Sequence, residues 1–366
     1  MDFFTRINAV LDGEQPDQVP FAPYDELVPR GRFSRLMRNR GMGLLVRRDT
    51  VTEDTPNVRT ETWTEGDTIV TIYHTPVGDV STRSHKHIRR ISDDSILLDI
   101  EGMIKSVEDY DPTIFIIDDT EFSFDPQIYF DMAADLGTDG LVRDAGMYSP
   151  YGLSRYIFGG SSGLNKWSYE QVDHPDHFER LVEALSRKEE RRLRLAIESP
   201  AKLISFGDLD GTWGPKNVLK HDLPLYKKWV PRFQAAGKKC CLHAHALNLH
   251  LFKDLIAEAG FDVIEAFTPP PIGSLSVKEA RAAWGEKTII WVNFPETIFL
   301  QGKRATKQYT KELLLSDPPG NALILGFTEM GTWGSILTEE TEVVFKEGTT
   351  AIIEAIEEYG NIPIMP

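Results

Sequence analysis

The chain has 366 residues, 41% of them hydrophobic and 10% aromatic. That is enough apolar material for a large core, and it excludes a disordered chain. Acidic side chains number 56 against 40 Lys and Arg, a formal charge of −16, and so acidic a surface repels nucleic acid and anionic membranes.

The N-terminal MDFFTRINAVLDGEQ carries acids and lacks the apolar core of a signal peptide. No later stretch approaches the ~18 apolar residues that a membrane span needs. Short apolar, β-branched runs recur at residues 19–23, 113–118, 140–146, 203–208, 239–245, 263–267, 289–294 and 322–327. Runs of this kind suit strands buried on both faces. Helical spacing fills the gaps, as at 176–197, 224–236 and 249–258, the last stopped by Gly260. Eight strands alternating with helices predict a parallel sheet closed into a (β/α)8 TIM barrel, with residues 1–366 as one domain. Residues 50–90 break the rhythm. Their alternation, with turns at Glu65-Gly66-Asp67 and Val77-Gly78-Asp79, predicts an antiparallel hairpin or meander inserted between the first two barrel strands. A closing helix is expected over about 339–359. The two cysteines, Cys240 and Cys241, are neighbours inside a predicted strand. They cannot build a disulfide framework, so a reducing, cytoplasmic setting is expected. Inside an apolar strand they read as small buried hydrophobes and not as nucleophiles.

Reactive groups of such a barrel stand at the C-terminal ends of its strands. Those ends carry Asp118, Asp119 and Glu121; Asp144; Asp208 and Asp210; His243 and His245; Glu265; Asn293 and Glu296; and Glu329. The densest signal is CCLHAHALNLH. Positions i and i+2 of a strand face the same side, so His243 and His245 point together into the mouth. Two imidazoles near carboxylates suit a zinc-like cation, with the third ligand coming from another strand; Glu329 and Asp208 are the candidates. His250, His85, His87, His174, His177 and His221 read as structural, capping or surface residues. Aromatic side chains near strand ends, among them Trp213, Trp291, Trp333, Tyr148 and Phe267, are placed to wall a pocket for a flat apolar ligand.

Several longer segments carry a resemblance. They are RINAVLDGEQPDQVPF near the start, Thr75-Pro76-Val77-Gly78 with Ser106 to Tyr110, GDLDGTWGP, LPLYKKWVPRFQAAGKKCCLHAH, LIAEAGFDVIEAFTPPP and ALILGFTEMG. Over most of its length the chain resembles the uroporphyrinogen decarboxylase superfamily in its corrinoid-methyltransferase branch. The Arg-rich motif of the decarboxylases is replaced by FAPYDELVPRGR, and an acidic mouth suits a tetrapyrrole polycarboxylate poorly. The methyltransferase branch typically holds zinc through His-x-Cys and a distant Cys. Here His243, His245 and Glu329 stand at those places, so the resemblance implies them as the metal ligands. Nitrogen and oxygen ligands leave zinc a stronger Lewis acid than thiolates do, which favours an oxygen leaving group over a thiol acceptor.

The expectation is therefore an O-demethylase-type enzyme. It would take a methyl group from a small methoxylated substrate, aromatic by preference, and pass it to cobalamin on a corrinoid partner protein. Zinc on His243, His245 and Glu329 would bind the ether oxygen, Asp208 would orient a ligand or donate a proton, and Trp213, Trp291 and Trp333 would wall the ring. A metal-free decarboxylase or lyase of the same superfamily, a methylcorrinoid:thiol methyltransferase and a non-catalytic binding protein stand as alternatives. A homodimer is compatible with all of them.

Overall fold

The structure is a computed structural model that describes residues 1–89, 95–328 and 339–365. Its strands, in chain order, are β1 (Leu44–Arg48), β2 (Val51–Asp54), β3 (Arg59–Glu65), β4 (Thr68–Thr75), β5 (Gly78–Arg89), β6 (Ser95–Glu101), β7 (Glu121–Phe124), β8 (Gly140–Met147), β9 (Leu203–Asp208), β10 (Lys239–His243), β11 (Val263–Phe267), β12 (Ile289–Asn293) and β13 (Leu323–Gly326). Seven of them form one parallel sheet in the order β1-β8-β9-β10-β11-β12-β13. Each new strand is laid on the same side of the last, as right-handed crossovers require, and the sheet curls.

Two regions differ from the sequence-based expectation. Residues 113–118 lie in the helix Tyr110–Asp119 and not in a strand. Ser106 and Asp109 form a capping box just ahead of it, and Tyr110, Thr113 and Ile117 bury one face at helical spacing. The place beside β8 is taken by β1, which pairs with it from Leu44↔Gly140 to Arg48↔Asp144. The second difference concerns closure. The gap between β1 and β13 is spanned by residues 20–24, where Ala22 and Tyr24 donate to Leu325 O (2.8 Å) and Phe327 O (2.9 Å). On the other side Phe21 O and Pro23 O accept from Gly43 and Leu45, both at 2.9 Å. Pro20 and Pro23 have no N–H to add, and only isolated bridges result. Among the described residues the sheet is thus a curled seven-stranded half-barrel, not a closed ring of eight strands.

The core has two layers. Outward side chains of the sheet pack under helices that include Pro175–Ala196, Leu223–Ala235 and Glu339–Tyr359. Inward ones, among them Leu45, Leu203, Val263 and Ile324, meet Phe3, Ile7, Val10 and Leu11 of the helix Phe3–Asp12. That helix sits beside Thr138, just ahead of β8, where Phe4 N–H donates to Thr138 O (3.2 Å). It plugs the N-terminal end of the barrel and leaves the C-terminal end for chemistry. Residues 59–101 form the four-stranded antiparallel meander β3-β4-β5-β6, with two-residue turns between Glu65 and Thr68 and between Thr75 and Gly78. No helix among the described residues is long and apolar enough to cross a membrane.

Near their C-terminal ends three strands lose register: β8 between Ala145 and Met147, β9 against β10 at Gly207, and β11 between Ile264 and Phe267. Such bulges re-aim side chains. At the β9 bulge Gly207 has φ +63°, and a Cβ there would lie 2.2 Å from the Tyr226 hydroxyl. Gly260, the left-handed cap of the helix Lys253–Ala259, also has positive φ, +75°, but nothing lies within 4 Å of its Cβ position. Gly260→Ala should therefore cost only the left-handed backbone penalty, about 1–2 kcal/mol. Gly207→Ala adds overpacking of about 1–3 kcal/mol and should be the more destabilising. Urea unfolding of the two variants compares them, and equal midpoints would show that the bulge is not constrained by Tyr226.

Candidate metal centre at the C-terminal strand ends

Strand β10 reads KCCLH, and its pleat sorts these residues. Cys240 faces the helices and donates to Val230 O (3.6 Å), whereas Cys241 faces the interior and donates to Glu265 Oε2 (3.7 Å). Burial pushes both thiols up. They are buried hydrophobes, as the sequence suggests, and not nucleophiles.

His243 shares the inward face with Cys241, and His245 follows beyond the strand end. Their rings lie 5.2 Å apart, centroid to centroid. The third group is Asp208, which the β9 bulge sets opposite His243. Its Oδ1 is 2.9 Å from His245 Nε2 and 4.0 Å from His243 Nε2. Ligand atoms of Asp208, His243 and His245 all lie within 4.8 Å of one another. Zinc bonds of about 2.0–2.1 Å place tetrahedral donors about 3.3 Å apart, and the two measured separations bracket that edge. Two imidazoles and one carboxylate, with solvent on one side, fit a zinc-like cation with an open coordination position. His243 is the buried member, and Asp208 and His245 are half-buried.

Behind His243 is a set of groups to which the sequence reading gave no role. Nδ1 of His243 is 3.3 Å from Glu265 Oε2 and 3.2 Å from the Tyr24 hydroxyl. Arg143, on β8, donates to the same Glu265 oxygen and to Tyr24 Oη (3.2 Å). Burial alone would raise the Glu265 pKa, but the Arg143 guanidinium outweighs it and holds the carboxyl down to about 2. Burial pushes the Tyr24 hydroxyl up. The signals for these residues were slight: an arginine inside the buried run GLVRDAGM and an acid inside VIEAF.

Other expected residues fall elsewhere. Glu329 and Trp333 lie outside the described residues. Trp291 is fully buried inside the barrel, donating to Ala22 O (3.3 Å). Trp213 is packed against Tyr151, and Phe267 against Trp284. Trp291 and Phe267 are core because they lie within β12 and β11, and Trp213 because the turn after β9 packs its ring against Tyr151. Tyr148 stays 44% exposed at the rim, with Arg192 over its ring. Asp118 and Asp119 end the helix Tyr110–Asp119, while Asp144 accepts from Thr50, and Asp210 pairs with Arg155 at 2.7 Å. Asp222, a second acid upstream of His243, is wholly buried and accepts from Ser149 Oγ (2.8 Å), apart from the three-residue cluster.

No protein-family model matches the chain, and no curated protein does. Among solved structures, a methyltransferase from Methanosarcina mazei superposes on 98% of this chain and 99% of its own, with a TM-score of 0.55 and 15% identity. At that identity the likeness establishes a shared fold.

Burial pushes the Asp222 carboxyl up to about 7 from its ordinary 3.8. An acid raised in the folded state binds its proton more tightly there than in the unfolded chain. Its contribution is full below the unfolded value and is lost as pH rises through about 7. Asn imitates the protonated acid and keeps the acceptor for Ser149. The stability of Asp222→Asn relative to the native chain should therefore climb between those two pKa values, as read by thermal unfolding across pH. A difference independent of pH would refute the assignment.

Proposed function

We propose that this chain is a zinc-dependent methyltransferase that moves a methyl group from a small methoxylated aromatic substrate to a corrinoid carried by a partner protein. The observation that carries the reading is the meeting of Asp208, His243 and His245 at the C-terminal rim of a curled parallel sheet. The fold shared with the Methanosarcina mazei methyltransferase supports methyl transfer on this scaffold. In this reading Asp208 is a carboxylate ligand, and Glu329, three residues beyond β13, is retained as a further one. Zinc held there supplies Lewis acidity toward an ether oxygen.

The chain's own residues supply the rest. Asp208 and His245 keep part of their surface in solvent, so the rim admits both a small ether and a bulky acceptor. Tyr148, exposed at that rim, is an aromatic surface able to meet a ring, and Trp333 is kept from the sequence reading as a second. In the transfer the electron pair of the oxygen–methyl bond stays with the phenolate oxygen. The cobalt(I) of the acceptor provides the pair for the new carbon–cobalt bond. The phenolate then takes a proton from solvent. The donor set of two nitrogens and an oxygen favours this donor-side reaction over transfer to a thiol.

The test is methyl transfer from a panel of methoxyarenes to a purified corrinoid protein, followed by the loss of cobalt(I) absorbance. Transfer should stop on chelation and return with zinc. Asp208→Asn and His245→Ala should each lower the rate by about 100-fold or more, the scale set by removing a group that stabilises the transition state. Transfer that survives chelation would remove the zinc from the mechanism, and a lack of transfer from every methoxyarene would remove the substrate class.

A further inference from the structure

We infer that Glu265, clamped by Arg143, is the positioning residue that places the proton of His243 on Nδ1 and so turns its Nε2 lone pair toward Asp208 and His245. This rests on the metal reading above and deepens it. The argument is a donor and acceptor count. Glu265 has no solvent exposure, and its Oε2 meets Arg143, Cys241 and His243. Arg143 can only donate, and it donates there. The Cys241 thiol donates there at 3.7 Å. The Tyr24 hydroxyl, which accepts from Arg143, lies 3.2 Å from Nδ1 of His243. The carboxylate can only accept, and at 3.3 Å it faces the same Nδ1. A hydrogen on Nδ1 satisfies the carboxylate or the Tyr24 oxygen, whereas a bare Nδ1 would set its lone pair against that of the carboxylate in a dry site, so the hydrogen sits on Nδ1. A neutral imidazole with its proton on Nδ1 carries its lone pair on Nε2, and Nε2 is the atom that faces Asp208.

The backbone points the same way. Ala266, next to Glu265, has φ +56° and is the one non-glycine residue with positive φ among the described residues. It sits in the β11 bulge, where two residues, Glu265 and Ala266, stand between Ile264 and Phe267 against Trp291 alone. Glu265 pairs in register with His243 on the neighbouring strand and follows inward-facing Val263 by two residues, so ordinary pleating turns it toward the imidazole, and the bulge shifts the register toward β12 at this same point. An ion pair kept only for stability would not need the contact with an imidazole.

The experiment has two readouts besides activity. One is the 15N spectrum of the imidazoles in the zinc-free protein, with the His243 signal assigned by comparison with His243→Asn. The other is zinc affinity, measured by competition with a chromophoric chelator. The native chain should show His243 as the Nδ1–H tautomer, and Glu265→Gln should move it toward Nε2–H. Zinc affinity should fall about 10–100-fold, the usual cost of removing a partner behind a metal-bound histidine. Because Glu265→Gln leaves Arg143 buried without its partner, the double variant Glu265→Met with Arg143→Met accompanies it. It removes both charges, should melt close to the native chain, and should still lose the affinity. Recovery of native zinc affinity in that double variant would mean that the pair serves only stability, and would overturn the inference. An unchanged His243 tautomer in Glu265→Gln would overturn it as well. A native chain that binds no zinc would instead sink the metal reading, an outcome separate from native binding that Glu265→Gln leaves intact.

Discussion

A strand covered on both faces has no dry place for an unpaired charge. In this chain the parallel sheet is covered by helices outside and by its own side chains inside. Polar chemistry is thereby driven to the last residues of each strand, at the end away from the plugging helix Phe3–Asp12. Asp208 and His243 are the final residues of β9 and β10, and Glu265 comes three residues into β11. The site follows from that constraint together with the bulges that let the ladder release its side chains.

A charged pair deeper in the barrel obeys the same rule differently. Arg143 and Glu265 lie on strands separated by β9 and β10 and meet across the interior. Each would be costly alone, since desolvation disfavours the charged form of both. Together they hold each other charged, and Tyr24 joins them from the segment that bridges the barrel edges. That segment, with prolines at 20 and 23, thus links the architecture to the site. Its broken ladder leaves the barrel short of closure, yet it delivers a hydroxyl to His243.

Much of the plan could be read from the residues. Continuous apolar runs marked β8 to β13, alternation marked the meander, and the period of 3.6 marked the helix Glu339–Tyr359. The spacing of His243 and His245 is a property of the chain itself, because strand geometry turns i and i+2 to one side. Residues 113–118 misled because β-branched content outweighed a capping box at Ser106 and Asp109, and periodicity over six residues cannot tell the two elements apart. β1, LLVRR, buries only Leu45 and Val46 and ends in two arginines, so its apolar run is too short to stand out as a barrel strand.

By itself the sequence determined the parallel strands from β8 to β13, the acidic composition, the burial of both cysteines and the pairing of two imidazoles on one face. Tertiary structure alone decided which acid meets them and what stands behind them. Asp208 reaches His245 because Gly207 breaks the register of β9, and Glu265 reaches His243 because β10 and β11 pair residue for residue at that point. The physical reason is that local pattern encodes which way a side chain faces, through a period of two or 3.6. A contact between strands depends on register and curvature summed over every strand between them, and no short run of residues contains that sum.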